Sequence, residues 1–248
     1  ERALWLALAD ATPLDRPRDE EEKHHLRECW GDWPKCLSKL ARSPRQDILG
    51  FLRDRPTDFR GALARVPVDL RGLYVAAFQS YLWNRLLADF LRQMCRPDQF
   101  IAVDLKMGKV PFFTALSDET RRAILSTELP LPSSRIRLDA GPIKQLVDRS
   151  LGELGLAMRE IRIKYPRDSF FSKGWRSATF AAAGLSDAPS ADELYRDRQK
   201  LTLAFDLPRG SYATILIKRV SAVGCRSAKE APDDLELDPH EKETEAAI

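Results

Sequence analysis

The chain has 248 residues, 44% of them apolar and 31% charged, with a formal charge of +3. That length fits one large or two moderate domains with a sizeable core. No apolar run is long enough to cross a bilayer, and the short stretch Ala3 to Ala9, behind Glu1-Arg2, is not expected to act as a secretory signal.

The charge is unevenly spread. Residues 228–248 hold eight acidic residues against Lys229 and Lys242, so this tail carries −6 and the rest of the chain +9. A basic body suits a phosphate-bearing partner, and the acidic tail is expected to be disordered and solvating. Cys29, Cys36, Cys95 and Cys225 form no Cys-x-x-Cys pair and have no histidine completing a zinc set. They are expected to be buried free thiols in a reducing compartment. His24, His25 and His240 are expected to be solvated.

In chain order, residues 2–10 read as a helix, followed by a Pro-rich, charged link from Thr12 to Glu22. A helical segment spans about 21–40, with a break near Gly31, and Trp30 and Trp33 lie within it. Pro44 restarts the chain into a helix through Leu52, and Asp58 begins a short one ending near Val66-Pro67. Asp69 to Arg92 is the strongest helix. Leu70, Leu73, Tyr74, Ala77, Phe78, Tyr81, Leu82, Leu86, Phe90 and Leu91 recur at helical spacing without an intervening proline. Its opposite side presents Gln79, Arg85 and Asp89, with Asn84 near the boundary. Trp30, Trp33 and Trp83 are expected to fill core.

After Pro97, Phe100–Val103, Leu105–Met107 and Lys109–Phe113 read as small strands around Gly108 and Pro111. Ser117 caps a helix over 118–126. Residues 129–134 form an extended linker, 141–154 a helix, and Met158 to Ile163 alternates with period two. Lys164 to Ser169 marks a turn and the preferred domain boundary. Leu201 to Leu207 reads as a strand, and Ala213 to Val220 as its partner across a tight Pro-Arg-Gly-Ser turn. Gly210 can adopt backbone angles closed to other residues there. Arg209 is either a water-exposed turn residue or a phosphate contact, and Tyr212 either packs or offers its ring to a nucleobase.

Tyr74-Val-Ala-Ala-Phe-Gln-Ser-Tyr-Leu-Trp-Asn-Arg85 and Leu207-Pro-Arg-Gly-Ser-Tyr-Ala-Thr214 together resemble the TruD family of RNA pseudouridine synthases. Gly31-Asp-Trp33, Pro56-Thr-Asp-Phe-Arg-Gly-Ala-Leu63 and Tyr165-Pro166 support the resemblance, which spans roughly Arg2 to Val220. It implies isomerisation of uridine to pseudouridine in RNA, with tRNA the expected substrate, without a metal or organic cofactor, and a cytoplasmic location.

It also implies a mixed α+β fold in three parts. Residues 1–163 correspond to a mainly helical inserted domain with short strands that walls an RNA cleft. Residues 164–226 correspond to an incomplete antiparallel-sheet portion of the catalytic domain, and 227–248 to the acidic tail. Tyr212 matches the family's aromatic position near the target base, and Asn84 its recurring asparagine. Arg209, Gly210, Ser211, Asn84, Arg85 and Gln79 are the candidate RNA contacts. Asn84 has a helix-stabilising role as its alternative.

The family's essential aspartate, in a Gly-x-Lys-Asp context, has no counterpart among these residues, nor has the Asn-x-Phe-Gly-x-Gln-Arg-Phe-Gly segment. The chain is therefore expected to be inactive alone and to begin inside a longer enzyme, or to need a complementing chain. Its sheet is expected to be incomplete. Asp206 should point away from the face carrying Leu203, Phe205 and Leu207, toward solvent or the turn. Asp168 caps a segment without chemical role. Lys106, Lys109, Arg135 and Arg137 are either a basic rim for RNA or a scattered solvated surface. The alternatives to a synthase are a non-catalytic RNA-binding or assembly factor, recognised by salt-sensitive RNA binding without turnover, and a protein-interaction module that binds no RNA. Oligomeric state is not defined by the sequence.

Overall fold

A computed structural model describes residues 1–13, 15–40, 43–105 and 108–224. The acidic tail, Cys225, His240, Lys106 and Met107 lie outside them. The fold is mixed α+β, with helices and three two-stranded antiparallel sheets among the described residues. Contacts divide the described residues into two compact units, 1–80 with 159–172 and 81–158 with 173–224.

The first unit is helical. α1 (Arg2–Leu8) turns Leu4 and Leu8, four apart, into the core. α2 (Pro17–Cys29) begins on proline, whose missing N–H is harmless in the first turn. It stops where Gly31 takes φ +95°, and α3 (Trp33–Leu37) follows with Asp32 accepting a hydrogen bond from the Lys35 N–H. The break near Gly31 is thus where the sequence puts it. It also brings Cys29 and Cys36 to a Cα separation of 5.4 Å, and they are joined as a disulfide. This corrects the expectation of free thiols for this pair, which took no account of the chain reversal between them; Cys95 is free and buried as expected. His25 is likewise buried rather than solvated, its Nε2 3.2 Å from the carbonyls of Lys35 and Cys36.

α4 (Pro44–Asp54) buries Ile48, Leu49 and Leu52, and α5 (Phe59–Ala64) is capped by Asp58, which accepts from the Gly61 N–H at 2.8 Å. Trp33 packs edge-on against Trp30 and Phe59 and donates to the Pro56 carbonyl.

α6 (Val68–Met94) runs unbroken, as its periodicity predicts. In the first unit, however, its buried positions are Arg71 and Gln79, while Leu70, Leu73, Tyr74 and Phe78 are exposed, Leu73 to 62%. The apolar stripe read as core is therefore uncovered in this half of the helix. The cause is tertiary: residues 168–172 pack on the side of Arg71 and Gln79, where these satisfy their polar groups and Phe171 meets the Phe78 ring, 6.3 Å between centroids. Arg71 donates to the carbonyls of Ala64 and Val66, to Ser169 Oγ and to the Asp168 carboxylate.

In the second unit α6 behaves as expected, with Leu82, Trp83, Leu86, Phe90 and Leu91 buried. β1 (Phe100–Leu105) and β2 (Gly108–Phe113) form a hairpin, Phe100 opposite Phe113 and Leu105 opposite Gly108. α7 (Asp118–Ser126) is capped by Ser117 as the sequence indicates. Part of the expected 129–134 linker is β3 (Glu128–Pro130), which pairs with β4 (Trp175–Ser177). α8 (Pro142–Gly152) buries Leu146, Val147 and Leu151.

The last sheet pairs β5 (Ala183–Ala191) with β6 (Gln199–Asp206). Every residue of β5 is exposed, including Leu185, and Leu201 of β6 is exposed too. This agrees with the expectation of an incomplete sheet, since such a ribbon leaves apolar side chains and backbone edges uncovered. The alternation along β6 holds: Leu203 and Phe205 are half-buried on one face, and Asp206 is exposed.

Two strand readings fail. Residues 158–160 form a 3-10 turn instead of a period-two strand. Residues 213–224 form α9 (Ala213–Gly224) instead of a partner for β6. Its half-buried positions, Ile215, Leu216, Lys218, Arg219 and Ala222, recur at three to four residues, a helical period that β-branched composition masked.

Candidate functional site

The turn after β6 is built by its sequence. The Ser211 N–H donates to the Pro208 carbonyl at 3.1 Å, closing a four-residue turn with Gly210 in its third position at φ +88°. That position of a type II turn requires positive φ, which glycine supplies without Cβ strain. Arg209 and Gly210 are exposed and Ser211 half-buried. Tyr212 follows at the entrance to α9, 68% exposed, with its carbonyl accepting the Ile215 N–H. Its ring is therefore not spent on core packing.

α9 is fixed to the β1–β2 hairpin by charge and ring contacts. Arg219 lies over the Phe113 ring, 4.4 Å from its centroid, and donates to the carbonyls of Phe113 and Thr114. Burial, with a smaller contribution from Arg121, lowers the Arg219 guanidinium below its ordinary pKa. Lys218 donates to the Asp104 carbonyl at 3.0 Å. Through these bonds the hairpin holds the helix whose first turn displays Tyr212. Sequence reasoning missed Arg219, because reading 213–220 as a strand hid its helical alignment with Ile215 and Ala222.

The other candidates fall into two groups. Asn84 and Arg85 are adjacent and half-buried on α6 in the second unit. Arg85 is 3.3 Å from the Tyr81 hydroxyl and 3.7 Å from Glu153, while Asp89 one turn on accepts from Ser150 of α8. The polar side of the helix thus meets α8. Gln79 belongs to the first unit and is 4% exposed. Its amide donates to the Ser172 carbonyl at 2.9 Å and accepts the Ser172 N–H at 3.1 Å, pairing with backbone as a strand neighbour would. Asp168 pairs with Arg71.

No cluster of three or more histidine, cysteine or acidic residues suited to a metal occurs among the described residues. No described helix is long and apolar enough to cross a membrane.

A sequence model of the family described as tRNA pseudouridine synthase D (TruD) matches residues 1–220. A Methanocaldococcus jannaschii relative named "Probable tRNA pseudouridine synthase D 2" is 25% identical over 223 residues, covering 88% of this chain and 53% of its own length. An Aquifex aeolicus tRNA pseudouridine synthase D is 28% identical over 204 residues, covering 82% of this chain and 50% of its own. A solved Methanosarcina mazei structure assigned to TruD shares the fold, with a TM-score of 0.66 at 20% identity over 88% of this chain and 53% of that one. The chain spans about half the length of the curated relatives it matches. With the match running from Glu1 through the Gly210 turn and into α9, the chain belongs to the tRNA pseudouridine synthase D family.

Proposed function

We propose that these residues form the RNA-holding part of an enzyme that converts uridine to pseudouridine in tRNA. The observation that carries this reading is the Tyr212 ring, presented to solvent immediately after the Gly210 turn; the sequence resemblance is what assigns it the family's aromatic position. An extruded uridine can stack on it while the N1–C1′ bond breaks, the base turns, and a C5–C1′ bond forms. Arg209 supplies a charge for the flanking phosphate, and the exposed Gly210 backbone lets the RNA approach closely. Asn84 and Arg85 offer polar groups from α6, and Gln79 acts by positioning the 170–173 segment. In this reading 1–163 wall the RNA cleft and 164–226 complete the catalytic domain.

The carboxylate for the ribose chemistry comes from additional polypeptide, in the same protein or a complementing chain. Two uncovered surfaces support this: the apolar side of α6 over 70–78 and the β5–β6 ribbon. Covering such surfaces stabilises by about 25 cal/mol per Å² of apolar area removed from water.

Tritium release from tRNA labelled at uridine C5 tests the proposal, because the C5 hydrogen leaves as the new bond forms. We expect no release by residues 1–248 alone and release by the longest native polypeptide containing them. Salt-sensitive tRNA binding without release from either would favour the non-catalytic RNA-binding alternative.

A further inference from the structure

A second charged surface lies in the first unit, away from the Gly210 turn in sequence and outside the candidate RNA contacts named above. Arg159, Glu160, Arg162 and Lys164 line a hollow of about 550 Å³. Its shape follows from two local features. The 3-10 turn Met158–Glu160 leads into a tight reversal in which the Arg162 N–H donates to the Glu160 carbonyl at 2.6 Å. Ile161, at the centre of that reversal, is buried and pins the segment to the unit. With Ile161 turned in, Arg159, Arg162 and Lys164 stand exposed around the rim. None of the three enters an ion pair among the described residues.

The surface continues along the chain. Tyr165 is partly exposed and has the Arg60 guanidinium over its ring, 4.5 Å from the centroid. Arg167 is exposed two residues on, and the segment is anchored again by buried Ser169, bonded to Arg71. Cations held in fixed order beside an aromatic ring already stacked with guanidinium suit a chain of phosphates bearing flat bases. An acidic peptide would use the charge but not the ring.

Resting on the RNA-modifying reading above, we propose that the Arg159–Arg162–Lys164 hollow grips the substrate RNA's phosphate backbone, with the Tyr165–Arg60 pair stacking an adjacent base. This contact carries no sequence information and adds affinity and register only.

The test is anisotropy titration of labelled tRNA with the full chain across a potassium chloride series. Loss of three phosphate contacts should reduce the magnitude of the log K against log salt slope by about 2, and weaken binding roughly 100-fold at 0.1 M salt. We expect this for the R159Q/R162Q/K164Q variant, equally on tRNA and on an unrelated single strand of matched length. The charge-preserving R159K/R162K/K164R variant should keep the wild-type slope, which separates charge loss from misfolding. An unchanged slope in the glutamine variant, with wild-type RNA binding intact, overturns the hollow while leaving the proposed function standing. Absence of RNA binding by the wild-type chain at low salt overturns the function and the hollow with it. Displacement of RNA by polyglutamate as effectively as by unlabelled RNA of equal charge overturns the nucleic-acid assignment.

Discussion

Replacing Arg71 with methionine keeps much of a buried side chain's volume but removes the guanidinium that ties α6 to two other segments of the first unit. That group donates to the Ala64 and Val66 carbonyls, to Ser169 Oγ and to Asp168. Because the Asp168 side chain is 52% exposed, water screens the ion pair, which should contribute under about 1 kcal/mol. The two carbonyls weigh more. They lie at the link between α5 and α6, and an acceptor stranded there costs about 1–3 kcal/mol. Arg71→Met should therefore destabilise by about 3 kcal/mol and Asp168→Asn by under about 1 kcal/mol. Urea unfolding monitored by tryptophan fluorescence reads both, since Trp33 sits in the core of this unit and Trp30 packs against it. With a denaturant slope of about 2 kcal/mol per M, Arg71→Met should lower the midpoint by about 1.5 M. A loss under about 0.5 kcal/mol, or equal losses in the two variants, would show that the carbonyls are not what Arg71 stabilises.

Arg219→Met should cost about 2 kcal/mol and increase hydrogen exchange in α9, because two carbonyl bonds and the Phe113 ring contact disappear together; unchanged exchange would refute the docking role. Gly210→Ala should cost about 1 kcal/mol in thermal melting, from φ +88° alone, since an added Cβ would meet nothing within 4 Å. A neutral or stabilising result would argue against the type II turn. Cys95 is buried, and burial pushes its thiol above the ordinary value. It should resist iodoacetamide at pH 8 in the folded protein and react on unfolding; rapid native alkylation would contradict that burial.

How far the sequence discloses this molecule depends on whether a segment's partners are local. Pro44, Asp58 and Ser117 announce helix starts through capping and proline chemistry that acts within one turn, and the helices begin there. Gly31 and Gly210 mark reversals for the same reason. The face a helix buries is a tertiary matter. Leu70, Leu73 and Tyr74 carry the spacing of a core stripe, but segment 168–172 covers the side of Arg71, Phe78 and Gln79 and makes Arg71 and Gln79 the buried pair. Residues 213–220 misled because Thr214, Ile215, Ile217 and Val220 have strand propensity, while Arg219 finds its acceptors at the end of a hairpin more than 100 residues earlier in sequence. At the candidate site, the turn and the tyrosine beside it were legible; that the ring is exposed and not packed came only from the structure. The charged hollow at 159–164 was not, because a tight reversal around Ile161 creates it and period-two alternation concealed that reversal.

The central claim is that Tyr212 receives the target uridine, and tritium release by the longest native polypeptide containing residues 1–248 measures it most directly. Base stacking of about 1–3 kcal/mol corresponds to a loss of roughly 5- to 150-fold in kcat/KM for Tyr212→Ala, with Tyr212→Phe near wild type and both variants melting with the wild type. Release by Tyr212→Ala at the wild-type rate would contradict the account.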